Sequence, residues 1–385
     1  MRRGWLVLAV GTVAQASQAA VLFGLAVLAP ALRDRYDLSL TQVGVMLGVS
    51  GVGAMLTLLP WGLAADRVGE RVTGAVGLLG ASVALAGSAY APNFAVLVVL
   101  LAIAGAFGAS INTATGRAVT SWFPRETRGF ALGIRQTSVP IGGLVAALGI
   151  PPIVDHWSSR AALLVLAGFS LVAGVLAAVW LVEGPVRGDG EPATEVLRHP
   201  LRDRRIWRLS LGSGLLICTQ AAITGFVVIF LESERDLSAT QAGLVLAAIN
   251  VVGAAGRLLS GLQSDRRGGS RVALIRAIAV ATTVAVAAAA TLAGAEVWLL
   301  IVALVAGGGL SMCWNGLAVA AAVETAGSRR SGAALGLQQT VLGVAVAVTP
   351  LAFAPFVEST SWRAGFFAAA VFPLLAVVVL RPLRA

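Results

Sequence analysis

The chain has 385 residues, of which 58% are hydrophobic and only 12% charged, about half the charge of an ordinary soluble domain. Its net charge is +10 and its mean hydropathy +0.88, and apolar runs long enough to cross a hydrocarbon core of about 30 Å recur along its length. That excludes a soluble domain whose positive charge is meant for nucleic acid, and it excludes a β-barrel, which would show short alternating segments.

Twelve spans are predicted in chain order, at residues 4–32, 42–64, 72–91, 93–122, 127–154, 159–183, 208–231, 240–263, 271–293, 296–323, 331–357 and 360–380. The first apolar run is too long for a signal-peptide core of about 7–15 residues and is followed by no clear cleavage site, so it reads as the first membrane helix. Every basic residue is an arginine, a usage that fits a GC-rich bacterial genome. With the N-terminus inside, nineteen arginines fall in inner segments and five in outer loops. The positive-inside rule then puts both termini in the cytoplasm of a multi-pass bacterial inner-membrane protein. The two cysteines, Cys218 and Cys313, lie in apolar segments and form neither a disulfide framework nor a metal motif.

The longest polar stretch, Glu183 to Arg208, falls between spans six and seven. It divides the chain into residues 1–183, a cytoplasmic linker at 184–207, and residues 208–385. The two halves repeat. "DLSLTQVG" (Asp37–Gly44) recurs as "DLSATQAG" (Asp236–Gly243), and at the same displacement Gly62, Asp66, Arg67 and Gly69 match Gly261, Asp265, Arg266 and Gly268. "GFALGIRQT" (Gly129–Thr137) recurs as "GAALGLQQT" (Gly332–Thr340), with Gln338 where the first copy has Arg135. The expected fold is therefore all-α: twelve transmembrane helices in two pseudo-symmetric six-helix bundles.

"GLAADRVGERV" (Gly62–Val72) resembles the signature loop of the major facilitator superfamily, and "GLQSDRRGGSRV" (Gly261–Val272) is its degenerate copy. "RETRGFALG" (Arg125–Gly133) and "SWRAGFFAA" (Ser361–Ala369) are similar to the same superfamily, so the resemblance covers the whole chain. It implies a transporter that works by alternating access, as a monomer, on a small molecule within the lipid bilayer. It also implies a conformational latch at Gly62, Asp66, Arg67, Gly69 and Arg71, with Gly261, Asp265 and Arg266 in the second half. In that family Asp66 would meet the positive N-terminus of span eleven, and the two glycines permit a sharp loop and close helix approach. Two departures argue against a proton-coupled drug pump. Leu101 stands where many relatives carry an arginine before Gly105 and Gly108, and "VPIGG" (Val139–Gly143) lacks the glycine that drug antiporters place before the proline.

Four arginines lie inside spans. Arg117 and Arg276 are about five residues from a span end and are expected to snorkel to the inner interface. Arg135 and Arg257 lie about 12 Å deep, where snorkelling is harder and a cation faces protein or water. No Asp or Glu sits at a span centre. Arginines without internal counterions are costly, and an anionic substrate can supply the missing charge to a guanidinium fork. "GRLLSG" (Gly256–Gly261) is similar to the span-eight stretch of oxalate/formate and monocarboxylate transporters, where the arginine binds the substrate anion. The alternative for both arginines is pairing with amides or backbone carbonyls. Neutral polar residues complete the predicted cavity: Gln15, Gln18, Asn112, Gln136, Gln220, Thr224, Asn250, Asn315, Gln338 and Gln339, with Trp314 either a wall or core packing.

The expectation is a secondary transporter of a small organic or inorganic anion, with substrate-binding Arg135, Arg257, Gln18, Asn112, Gln136, Gln220, Asn315 and Gln339. The alternative is a proton-coupled drug or metabolite exporter with structural arginines. No nucleotide loop is present, so the energy is expected to come from an ion or substrate gradient, and no cofactor, metal or nucleic acid is expected. The only histidines, His156 and His199, lie in loops with no HExxH or Ser-His pairing, which argues against an enzyme.

Overall fold

The computed structural model describes residues 2–123, 131, 133–182, 184, 202–267, 270–326 and 331–383, and every regular element among them is helical. The helices are α1 (Arg2–Tyr36), α2 (Leu40–Ala89), α3 (Phe94–Gly108), α4 (Ser110–Trp122), α5 (Ser138–His156), α6 (Ser159–Trp180), α7 (Arg204–Arg235), α8 (Ala239–Arg267), α9 (Arg271–Thr291), α10 (Val297–Leu310), α11 (Asn315–Ala326), α12 (Ser331–Ser359) and α13 (Trp362–Leu380). The predicted start of span five, most of the linker at 184–207, and Gly268 lie outside the described residues.

Among the described residues, eleven helical stretches are long and apolar enough to cross a membrane. One of them counts twice. Helix α2 has 50 residues, about 75 Å at the α-helical rise, more than twice the hydrocarbon thickness. It turns at Gly69, whose φ of 80° and ψ of 170° lie where only glycine sits without strain. Gly69 thus divides α2 into spans two and three, and the predicted twelve spans are recovered.

The repeated phrase Asp-Leu-Ser has a local cause. Asp37 (φ 50°) and Asp236 (φ 55°) are the two non-glycine residues with positive φ among those described. Each ends a helix in the left-handed conformation that Asp tolerates better than most residues. Two residues later Ser39 accepts from the Gln42 backbone N–H at 3.3 Å, while Gln42 Oε1 accepts from the Ser39 N–H at 2.9 Å. Ser238 and Gln241 repeat both bonds at 3.3 and 3.0 Å. Both phrases are therefore a helix stop followed by a capping box.

Backbone proximity divides the chain into two compact units, Met1–Gly188 with Leu237–Leu244, and Asp189–Asp236 with Val245–Ala385. In the first, α1 packs on α4, α5 and α6, and α2 packs on α3, α4 and α6. In the second, α7 packs on α10, α11, α12 and α13, and α9 on α10, α11 and α13. Lipid tails are as apolar as leucine, so close backbone approach drives this packing in place of the hydrophobic effect. A Cβ on Gly53 would overlap the Ala102 carbonyl of α3, and one on Gly105 would overlap the Ser50 carbonyl of α2. A Cβ on Gly62 or Gly261 would meet nothing within 4 Å. The close approach expected at Gly62 is instead found earlier in α2, at Gly53.

Two predicted spans are interrupted. Span four, predicted as one helix, breaks between α3 and α4 at Ala109, and span ten breaks between α10 and α11 at residues 311–314. Around the breaks the backbone tightens to three-residue hydrogen bonds: Asn112 N to Ala109 O at 3.3 Å, Met312 N to Gly309 O and Cys313 N to Leu310 O at 3.1 Å each. Such stretches inside a helix free carbonyls for other donors. Trp314 is fully buried in the second unit's core, so it is packing and not a cavity wall.

Gly105→Ala should cost about 1–3 kcal/mol, because the added methyl meets a backbone atom that cannot swing away. Thermal melting in detergent should show the loss, whereas Gly168→Ala, with open space around it, should melt like the parent. Equal melting of the two variants would contradict the packing described here.

Candidate functional site

The two interrupted spans organise the polar residues. In the first unit, Ala106 O accepts from Thr57 Oγ1 at 2.8 Å and from Trp61 Nε1 at 2.7 Å. In the second, Met312 O accepts from Arg257 Nε at 2.8 Å and Cys313 O from Ser260 Oγ at 2.9 Å. Each interrupted span is thus covered by donors from the helix packed against it, α2 or α8. Arg257 thus makes the backbone-carbonyl contact that was one of its predicted alternatives.

Arg135 sits in the helical turn before α5. Its Nη1 donates to Thr115 Oγ1 at 2.9 Å and to the Asn112 carbonyl at 3.3 Å, both on α4. Its Nε is buried with no hydrogen-bond partner among the described residues. Asn112 Oδ1 accepts from Gln15 Nε2 of α1 at 3.4 Å. Gln18, one turn along α1, lies over Gly108, where a Cβ would overlap its amide group. Gln15, Gln18, Asn112, Thr115 and Arg135 therefore form one cluster, at the break in span four. Thr115 was not singled out from sequence, because nothing in the chain pairs it with a residue twenty positions away.

The second unit fills the equivalent place differently. Gln338 is 1% exposed. Its Nε2 donates to Ser213 Oγ at 3.1 Å and to the Ala318 carbonyl at 3.4 Å. Ala318 follows Thr115 at the displacement by which Gln338 follows Arg135, so the repeated phrase delivers its polar side chain to the same place twice. Gln220 is buried on α7, Asn315 is half-buried at the start of α11, and Gln339 is exposed on α12. Gln136 is half-buried beside Arg135 and has a partner of its own. Thr224 donates to Gln220 O at 2.8 Å and Asn250 to Leu246 O at 2.9 Å, both within their own helices.

Arg117, predicted to snorkel, has a side chain that is 44% exposed. It ion-pairs with Asp66 and, at 3.2 Å, with Glu70. Glu70 is 5% exposed, and a carboxylate that deep requires a cation more than Arg117 requires the interface. Sequence reading placed Glu70 in a polar loop and missed this. Arg276 is half-buried, and its Nε is buried without a partner among the described residues. Of the remaining latch residues, Arg71 donates to the Ala178 carbonyl, Arg67 and Arg266 are exposed, and the Asp265 side chain lies outside the described residues. At the corresponding end of the second unit Arg271 pairs with Glu324 at 2.7 Å and donates to Ser264 Oγ at 3.3 Å. No metal-ligating group of three or more His, Cys, Asp or Glu occurs among the described residues.

A twelve-span bundle with a positive-φ glycine in the loop after span two agrees with what the family comparison returns. The model of the Major Facilitator Superfamily matches residues 11–350. The chain belongs to this superfamily. It is 31% identical, over 97% of its length and 84% of the relative's, to an uncharacterised MFS-type transporter of Mycobacterium tuberculosis. It is 26% identical to a probable L-galactonate transporter of Escherichia coli over 61% of its own length and 55% of the relative's. It is 24% identical to the multi-drug resistance efflux pump PmrA of Streptococcus pneumoniae over 60% and 59%. A solved structure of a bacterial homolog of the human lysosomal transporter Spinster superposes with a TM-score of 0.82 at 16% identity, covering 98% of this chain and 96% of that one. This superfamily member is thus a multi-pass membrane transporter with bacterial relatives.

The Arg117–Glu70 pair gives a stability test. Arg117→Met leaves a buried carboxylate without its cation and should cost about 1–3 kcal/mol. Adding Glu70→Gln to that variant should return most of the loss in a thermal melt. A double variant as unstable as Arg117→Met would mean Glu70 is not the group Arg117 serves.

Proposed function

We propose that this superfamily member is a secondary transporter of a small organic anion, working by alternating access, with Arg135 as the residue that meets the anion. The observation that carries the reading is the company Arg135 keeps. Its hydrogen bonds among the described residues go to a hydroxyl and a backbone carbonyl, both neutral, and its Nε has no partner. Arg117 and Arg271, near the unit ends, each pair with a carboxylate. A cation held deep in a span by neutral acceptors is stabilised most by an anion that brings its own charge. The probable L-galactonate transporter among the relatives moves a carboxylate by name, which supports the same class.

In this reading Asn112 and Gln18 line the site with Arg135, and Gln136 borders it. Gln220, Asn315 and Gln339 are the second unit's residues that this reading assigns to substrate. Arg257 first holds the interrupted span ten through Met312 O, and acts on the substrate by fixing α11 in place. The signature-loop residues Gly62, Asp66, Arg67, Gly69 and Arg71, with Gly261, Asp265 and Arg266, act as the latch, and both termini are cytoplasmic. The linker at 184–207 joins the two bundles.

Thermal shift of the detergent-purified protein against small carboxylates, sulfonates, nitrate and neutral controls tests the reading. One anion class should stabilise the parent, and Arg135→Gln should abolish that stabilisation. Arg257→Gln should instead lower the unliganded melting temperature. Stabilisation by lipophilic cations, unchanged in Arg135→Gln, would replace this reading with drug export.

A further inference from the structure

The Arg135 cluster contains acceptors as well as a cation. Gln15 is 7% exposed, and its Oε1 is buried with no donor among the described residues. Gln18 Oε1, three residues further along α1 and on the same helical face, is buried and equally unpartnered. The Gln15 amide is oriented by its other atom, because Nε2 donates to Asn112 Oδ1 at 3.4 Å. That contact leaves Oε1 as the atom turned away from α4. Gln18 is held by its seat on Gly108, which admits no side-chain atom of its own. Buried acceptors are nearly always satisfied, and leaving one unmade costs more than making it gains.

We infer that this cluster reads hydroxyl groups on the substrate, so that the transported anion is a polyhydroxylated carboxylate. The inference rests on the assignment of Arg135 as the anion ligand. The carboxylate meets Arg135, and hydroxyls further along the substrate donate to Gln15 Oε1 and Gln18 Oε1. Such a ligand supplies in one molecule what the protein lacks there, a negative charge and two donors. An ammonium would also supply donors. It is disfavoured here, because the nearest charge in the cluster is the guanidinium of Arg135 and the cluster has no carboxylate to offset it. A plain fatty acid would satisfy the arginine and strand both amide oxygens. A site built to bond a hydroxyl discriminates against the analogue without it far more strongly than an apolar pocket discriminates by size.

The test uses the full-length purified protein and four probes of similar length: gluconate, hexanoate, 6-aminohexanoate and glucitol, with affinities from titration calorimetry. Gluconate should bind at least about tenfold more tightly than hexanoate or 6-aminohexanoate, the expected consequence of unmade bonds at buried acceptors. In Gln15→Leu and Gln18→Leu that advantage should shrink or vanish, and unliganded melting temperatures near the parent's should show that the variants fold. Equal binding of gluconate and hexanoate, a preference for 6-aminohexanoate, a ratio unchanged in both glutamine variants, or no binding of gluconate would each overturn the inference. Tight binding of the neutral glucitol, unaffected by Arg135→Gln, would instead overturn the anion reading beneath it.

Discussion

A carbonyl freed inside a membrane must find a donor within the protein, because the hydrocarbon offers none. The rest of this structure follows from how that requirement is met twice. Spans four and ten each loosen near their middle, at Ala109 and at residues 311–314. Each freed segment is then covered from the helix beside it, by Thr57 and Trp61 in one unit and by Arg257 and Ser260 in the other. The covering helices approach so closely because glycines face the breaks. A Cβ on Gly53 would overlap Ala102 O, and one on Gly256 would overlap Cys313 Sγ. The small residues, the breaks and the polar donors form one device, and none works without the other two.

The device explains why a duplicated scaffold carries unequal charges. Arg135 and Gln338 occupy matching positions in a repeated phrase, and each donates to the residue at position 115 or its counterpart 318. The glutamine gives its amide hydrogens to Ser213 and Ala318 and is complete as a donor. The arginine has a third donor left over and a full charge besides. Duplication therefore fixes where a polar head is delivered, and a single residue difference decides whether that place is neutral or cationic.

Much of this was legible in the sequence, for reasons that differ by level. Hydropathy gave the spans because the bilayer sets their length. The Asp-Leu-Ser phrase marked two helix boundaries because stop and cap are local chemistry, complete within six residues. Gly69 was readable as a turn for the same reason. The breaks in spans four and ten were not, since Gly105, Gly108 and Gly307–Gly309 are equally common in unbroken membrane helices. Glu70 was missed because its burial depends on Arg117, 47 residues away. The partner of Arg135 was missed because a threonine inside a span looks like any other.

The ion pairs set Arg135 apart from Arg117 and Arg271. At the signature-loop end of the first unit the cation is on α4 and the acids on α2; in the second unit the cation is on α9 and the acid on α11. The polarity is reversed between the halves, yet each of these two arginines is met by at least one carboxylate. Arg135 breaks that rule. It lies deeper, where an unbalanced charge costs more, and its bonds stop at neutral groups. On the function proposed above, the charge that offsets Arg135 comes from outside the chain. In a transporter the substrate is the component that can bring it.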